Sequence, residues 1–137
     1  MKKLLTLIPL FLLVTTLFCQ QTNDVVFTSS DKVVSIQLRR VPNAVDINMA
    51  IGNATDYESI MIEKSAQPYS GFTQCRYVEC ATGKDGNFHV NSRDIYPLSS
   101  RQDAYYRVKV IGKDGAIHIY PAVLLPAVLK EAGLASQ

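Results

Sequence analysis

The clearest pattern in the chain is an alternation of apolar and polar residues between positions 104 and 120. From 104 to 110 it has the period of two that is typical of a strand with one buried and one solvated face. Asp114-Gly115 then supplies residues that tolerate the positive backbone φ of a tight turn, and the alternation resumes. The segment predicts a β-hairpin. Its inward side holds Tyr106, Val108 and Val110, and its outward side holds Tyr105, Arg107 and Lys109.

Shorter alternations of the same kind, separated by turn residues, occur along the rest of the chain. Val25 to Phe27 form a lead-in, and strands are predicted near 33–40, 45–51, 60–65, 72–80 and 88–90. No helical period is present before the C-terminus, where a helical turn or two is predicted after Pro126. About seven short strands predict an all-β fold, a two-sheet sandwich with Greek-key connections.

Residues 1–19 have the pattern of a secretory signal peptide, with Lys2-Lys3 before an apolar run from Leu4 to Phe18. The run is shorter than the about 20 apolar residues of a spanning helix, so we predict export to the periplasm, cell envelope or extracellular space. Two products remain open. Cleavage before Cys19 gives a lipoprotein, but bacterial lipoprotein signals carry a small residue just before the cysteine. The large Phe18 therefore favours cleavage after Cys19, which gives a soluble protein. Membrane attachment is expected only if Cys19 is lipidated.

Loss of the signal peptide changes the charge of the chain. Without Lys2 and Lys3 the 14 Lys and Arg become 12, against 12 Asp and Glu, so the mature chain is formally neutral. A neutral chain with scattered charges argues against a nucleic-acid partner. The remaining 137 − 19 = 118 residues suit one domain. We expect a lead-in at 20–32, the sandwich at 33–124 and a short tail at 125–137.

Two stretches of the sequence carry a family resemblance. One is Asp94-Ile-Tyr-Pro-Leu98 followed by Tyr105-Tyr-Arg-Val-Lys109 and Asp114-Gly115; the other is Val45-Asp-Ile-Asn-Met49 with Ile62-Glu-Lys-Ser65. Together they resemble the fibronectin type III-like, immunoglobulin-fold module of secreted Bacteroidetes proteins, from about residue 33 to 123.

The resemblance implies an immunoglobulin-like sandwich with Tyr106 at a tyrosine corner, its ring packed inward and its hydroxyl bonded to a loop backbone. Met49 stands where the family usually has a tryptophan, and the chain contains none.

Cys75 and Cys80 are predicted to be free thiols. In one extended strand their Cα atoms lie about 16 Å apart, whereas a disulfide needs less than about 7 Å. A catalytic thiol needs a base, and neither His89 nor His118 lies in a nucleophile motif. These residues also match no zinc-ligand spacing, so no catalytic residue, metal or cofactor is expected. Four acidic residues in predicted loops are expected to cap turns and stay solvated: Asp56, Glu58, Asp94 and Asp103.

These observations favour an exported, non-catalytic interaction or structural module with a protein or glycan partner of the envelope. Tyr105, Arg107 and Lys109 form its candidate recognition surface, and an ordinary solvated strand face is the alternative reading of the three. Two other functions stay open: a carbohydrate-binding module with a platform of exposed tyrosines, and a small enzyme with a site not visible in the sequence. The candidate platform residues are Tyr57, Tyr69, Tyr96 and Tyr120.

Overall fold

The computed structural model describes residues 24–31, 33–80 and 86–128. The predicted signal peptide, the Cys19 attachment point, the start of the lead-in and the tail after residue 128 lie outside these ranges. Within them, nine strands form two antiparallel sheets, and no α-helix is present. The predicted all-β fold and two-sheet sandwich are therefore confirmed.

The first sheet contains four strands in the order β1-β2-β3-β6. Their bounds are Val25–Thr28 for β1, Val34–Val41 for β2, Ala44–Ile51 for β3 and Phe88–Asp94 for β6. The second sheet has the order β5-β4-β7-β8. β9 also pairs with β7, at residues 104–106, whereas β8 pairs with residues 109–111. These strands are β4 Tyr57–Ser65, β5 Thr73–Glu79, β7 Ala104–Gly112, β8 Ile117–Ile119 and β9 Val123–Leu125.

The chain crosses between the sheets three times. A single 3-10 turn, Ala54–Asp56, leads from β3 into β4, and the chain returns to the first sheet at β6 before crossing again to β7. The loop 66–72, the loop 95–103 and the β2–β3 turn at Pro42-Asn43 lie at the same end of the sandwich. This follows from the register, because Val45 pairs with Asp94 and Ser65 pairs with Tyr105. We call it the loop end.

The core is built from the inward positions of both sheets, as the period of two predicts. In β7 every second residue from Ala104 to Gly112 is buried, so the predicted inward side of the hairpin is confirmed. Met49 is also buried in the core. Gly115 has φ 81° in the turn that follows, as the Asp-Gly pair predicts. The largest fully buried side chains are Tyr106, Ile36, Leu38, Ile47, Ile51, Ile60, Ile62 and Leu125.

Three strands differ from the prediction. β1 is a paired strand of the first sheet, in register with β2 from Val25 to Thr28, and not a separate lead-in. β6 extends past its apolar start to Asp94 because β3 pairs with it along all of its length. β9 has only three residues between Pro121 and Pro126, too few for an alternation to be recognised, and it is held by pairing with β7.

Candidate functional site

An apolar strip crosses the solvent-facing side of the second sheet. The strand register places Tyr77 beside Met61, Met61 beside Lys109, and Lys109 beside Ile119, one residue from each of four strands. Ile117 stands two residues before Ile119 on the same side of β8, and Tyr77, Ile117 and Ile119 are all exposed. We call these five residues the outer face. A single lysine stands among its four large apolar side chains.

The three residues of the predicted recognition surface lie on this side of the sheet: Tyr105, Arg107 and Lys109. All three are half-buried, and Arg107 is already engaged. Its Nε donates to Glu63 Oε2 at 2.6 Å, and its guanidinium carbon lies 3.9 Å from the centre of the Phe72 ring. Arg107 thus ties β7 to β4 and to the loop before β5. Lys109 has no ion pair among the described residues, and it is the member of the three that stands within the apolar strip.

Three exposed members of the outer face, Tyr77, Ile117 and Ile119, were not among the predicted site residues. A signal for two of them was present in the hairpin. The turn register pairs Ile117 with Ile111 and Ile119 with Lys109, so both isoleucines share the outward side of β7. Tyr77 belongs to β5, whose position next to β4 becomes known only from the assembled sheet.

The four candidate platform tyrosines do not share one surface. Tyr69 and Tyr96 are largely exposed, and both lie in loops of the loop end. Tyr57 is half-buried at the start of β4, and Tyr120 is buried. The expectation of an exposed Tyr120 is therefore wrong. Its backbone N–H donates to the Val108 carbonyl at 2.9 Å, which holds this residue against β7 between β8 and β9.

Asp94 lies at the end of β6 and is only 7% exposed, so its predicted place in a solvated loop is wrong. Lys64 Nζ lies 2.9 and 2.8 Å from the two carboxylate oxygens of Asp94. The Tyr106 hydroxyl donates to Asp94 Oδ2 at 3.0 Å, and the Tyr96 N–H donates to Oδ1 at 3.1 Å. Lys64 also donates to the Tyr96 carbonyl oxygen. The network joins three strands from both sheets and the 95–103 loop.

Tyr106 packs inward as the resemblance implied, but its hydroxyl bonds a carboxylate and not a loop backbone. Burial next to Asp94 raises the pKa of Tyr106, because the phenolate would be both desolvated and close to a negative charge. The hydroxyl therefore acts as a hydrogen-bond donor, and the network is suited to fixing the loop end rather than to proton transfer near neutral pH.

The cysteines and histidines are separated in the structure. Cys75 and Cys80 are both free thiols, as predicted. Burial raises the pKa of Cys75 to about 12, and its thiol donates to the Ile62 carbonyl oxygen at 3.2 Å. His89 lies on β6 of the first sheet and His118 on β8 of the second. Within residues 24–31, 33–80 and 86–128, no three or more His, Cys, Asp and Glu side chains are grouped as metal ligands.

A groove of about 590 Å³ opens at the loop end, between the β2–β3 turn, the 95–100 segment and Val128. Arg40 lines it and is held by backbone oxygens. Its Nε donates to the Pro126 carbonyl at 3.0 Å, and its Nη2 donates to the carbonyls of Gln102 and Leu125 at 3.0 and 3.2 Å. Burial lowers the pKa of Arg40, although an arginine stays cationic.

The fold is thus a small all-β sandwich with an apolar strip on one sheet and a groove at one end. The chain matches no family model, no curated protein and no solved structure. None of the described segments forms a helix with the length and hydropathy needed to cross a bilayer.

Proposed function

We propose that this chain is an exported, non-catalytic interaction module of the cell envelope or extracellular space, and that it binds a protein partner through the outer face. The observation that carries the proposal is the exposed apolar strip of Tyr77, Ile117 and Ile119, with Met61 and Lys109 between them. Contiguous exposed apolar groups are a feature of protein–protein interaction sites, where aromatic and aliphatic side chains become desolvated.

The exposed side chains of the strip are not needed to stabilise the sheet. The inward residues of β4 and β7 already fill the core, whereas Ile117 is 60% exposed. An exposed isoleucine adds no core contacts, and a partner that covered it would remove its apolar surface from water, which is favourable at about 25 cal/mol per Å². Lys109 adds a charge within the strip, which favours a partner that carries an acidic group at the matching position.

We also propose that the sandwich is a fibronectin type III-like, immunoglobulin-like domain. Its chain order supports this assignment. β2 and β3 share one sheet, β4 lies in the other, β6 returns to the first, and β7 and β8 end in the second. Immunoglobulin-like sandwiches distribute strands A, B, C, E, F and G in the same way. The buried Tyr106 near the start of β7 is a further point of similarity, although its hydroxyl partner is a carboxylate.

The interaction proposal is tested by charge insertion at two matched sites. Ile117→Asp places a carboxylate in the outer face, and Ile95→Asp places one at the loop end, where the exposed fraction is 61% against 60% for Ile117. We expect a tagged wild-type chain and Ile95→Asp to retain the same cross-linked envelope or extracellular protein in the native host. Ile117→Asp should lose it. Equal retention by both variants would remove the outer face as the binding surface.

Export and the state of Cys19 are tested by the intact mass of the protein from its native host. A mass matching residues 20–137 is the expected result. Retention of Cys19 with acyl chains would make the protein a lipoprotein bound to a membrane, and retention of residues 1–19 would contradict export through this signal.

Carbohydrate binding is the second candidate function, because Tyr69 and Tyr96 are both largely exposed and lie in loops at the same end of the sandwich. Exposed tyrosine rings offer apolar faces with a polar edge, a chemistry that suits sugar rings. A glycan array comparing wild type with Tyr69→Ala and Tyr96→Ala tests it, and Tyr77→Ala on the outer face is the control. Glycan binding that only the first two variants lose would favour this function over the first.

A further inference from the structure

The groove at the loop end has apolar walls contributed by distant parts of the chain. Pro42 comes from the β2–β3 turn, Ile95 and Leu98 from the β6–β7 loop, and Val128 from the segment after β9. The Val128 N–H donates to the Ser100 carbonyl at 2.7 Å, which fixes this segment against the loop. The volume of about 590 Å³ lies within the range of about 300–1,000 Å³ that small-ligand sites occupy.

Arg40 differs from the arginines that form ion pairs elsewhere in the molecule. Three other arginines donate to a carboxylate at 2.8, 2.5 and 2.6 Å: Arg39, Arg93 and Arg107. The described residues place no carboxylate within ion-pair distance of Arg40, and they offer its Nη1 no hydrogen-bond acceptor. The nearby Asp103 accepts the Ala127 N–H at 2.9 Å instead.

The carbonyl oxygens around Arg40 fix its position without neutralising its charge. A guanidinium in a fixed position is preorganised, because the side chain loses little freedom when it pairs with an anion. It is also half-buried, where an ion pair is screened less than at an exposed site. A ligand that supplies one carboxylate would complete the site, and apolar groups of the same ligand would cover the walls.

We propose that this groove binds the C-terminal carboxylate of a partner polypeptide whose last side chain is apolar. A chain terminus combines the two required groups on one residue, with the α-carboxylate next to the side chain. The groove is open to solvent, so the preceding residues of the partner have a path out of it. The site lies at the end of the sandwich and is independent of the proposed role of the outer face.

The test uses the peptide acetyl-Gly-Ala-Leu as the free acid and as the C-terminal amide, titrated into the exported protein and followed by ¹H–¹⁵N spectra. We expect the acid to shift the signals of Arg40 and of the 95–100 segment. The amide should bind about tenfold more weakly or worse, because it loses the hydrogen bonds to a charged acceptor. Equal affinity of the two peptides, or no binding of the acid at millimolar concentration, would overturn the proposal.

Two variants locate the site without removing the contacts that Arg40 makes. Ile95→Asp puts a negative charge on the groove wall and should weaken binding of the acid about tenfold or more through repulsion and lost apolar contact. Ile117→Asp, of matched exposure on the outer face, should bind as the wild type does. The reverse result would place the peptide on the outer face and overturn the proposal.

Arg40→Lys gives an independent readout, because a lysine keeps the charge but not the fork of donors. We expect Arg40→Lys to bind the peptide acid more weakly than the wild type does, with little change in its affinity for the amide. A purely structural defect would weaken binding of both peptides equally. Octanoate, a carboxylate without a peptide, is the last arm of the test. Signals shifted by octanoate but not by the peptide acid would identify a site for free aliphatic carboxylates and overturn the assignment to a chain terminus.

Discussion

The outer face and the loop end are both built partly on the second sheet, but they hold their polar groups differently. Next to the outer face, on the same side of the second sheet, the ion pair of Arg107 and Glu63 joins residues that are directly opposite on neighbouring strands. At the loop end Lys64 reaches from the second sheet to Asp94 on the first, and Arg40 reaches the carbonyl of Leu125, 85 residues away. The loop end therefore concentrates buried charge and long-range contacts, and the outer face is free to change with little effect on the fold.

The largest expected effect comes from removing the acceptor at the centre of the loop end. Asp94→Ala leaves Lys64, whose side chain is 13% exposed, without its carboxylate, and leaves the Tyr106 hydroxyl and the Tyr96 N–H without an acceptor. Breaking one partner of a buried ion pair costs about 3–5 kcal/mol. We expect a fall of this size in the free energy of unfolding, measured by urea denaturation.

The matched control is Asp46→Ala in the first sheet. Asp46 pairs with Arg93 at 2.5 Å, but both side chains are more exposed than those of Lys64 and Asp94. An exposed pair contributes about 0–1 kcal/mol, so this variant should lose much less stability. Equal losses for Asp94→Ala and Asp46→Ala would mean that buried charge does not distinguish the loop end.

The next effect is a loss of stability at alkaline pH, and it arises from the thiol of Cys75. This thiol is half-buried, and it lies close enough to Asp94 to be affected by the charge of the carboxylate. Burial first, and then this charge, raises the pKa of Cys75 to about 12. A cysteine in an unfolded chain has a pKa of about 8.5. The folded protein thus keeps a proton that the unfolded chain loses, so the stability from the neutral thiol is fully present below about pH 8.5 and is lost as the pH rises towards 12.

The contribution of the Cys75 thiol is measured as the slope of the free energy of unfolding against pH. Between pH 9 and 11 the free energy of unfolding of the wild type should fall more steeply than that of Cys75→Ser, by up to about 1.4 kcal/mol per pH unit. Comparing slopes removes any constant loss that the serine causes. Parallel slopes for the two proteins would show that the Cys75 thiol ionises alike in the folded and unfolded states.

A smaller effect separates two neighbouring tyrosines on opposite sides of β7. Tyr106→Phe removes the hydroxyl that donates to Asp94 and should lower the free energy of unfolding by about 1–2 kcal/mol. Tyr105→Phe alters a half-buried ring on the outward side, and we expect a change within about 0.5 kcal/mol. Both values come from urea denaturation. A larger loss for Tyr105→Phe would contradict the assignment of the buried hydrogen bond to the loop end.

The two regions also differ in how far the sequence predicted them. Alternation in β7 predicted the buried side of Tyr106 and the outward side of Tyr105, because the period of two acts within one strand. The Lys64–Asp94 pair was not predicted, since its members are 30 residues apart and meet only when the two sheets pack. The groove was missed for the same reason, because Arg40, Ile95 and Val128 belong to three separate segments. Local patterns predict faces of strands, and contacts between sheets need the assembled fold.

The smallest expected effect is on stability when aspartate replaces an exposed isoleucine in either region. Ile117 on β8 and Ile95 after β6 are 60% and 61% exposed, and neither belongs to the buried core. Surface changes away from buried partners usually alter stability by no more than about 0.5 kcal/mol, so both variants should unfold at nearly the wild-type urea concentration. Binding should then separate them, with Ile117→Asp losing the protein partner and Ile95→Asp losing the peptide terminus. Because the two isoleucines are matched in exposure and chemistry, a stability loss in only one of them would reveal packing that the exposed fraction does not measure. Its binding defect would then have to be tested again with a neutral replacement such as serine.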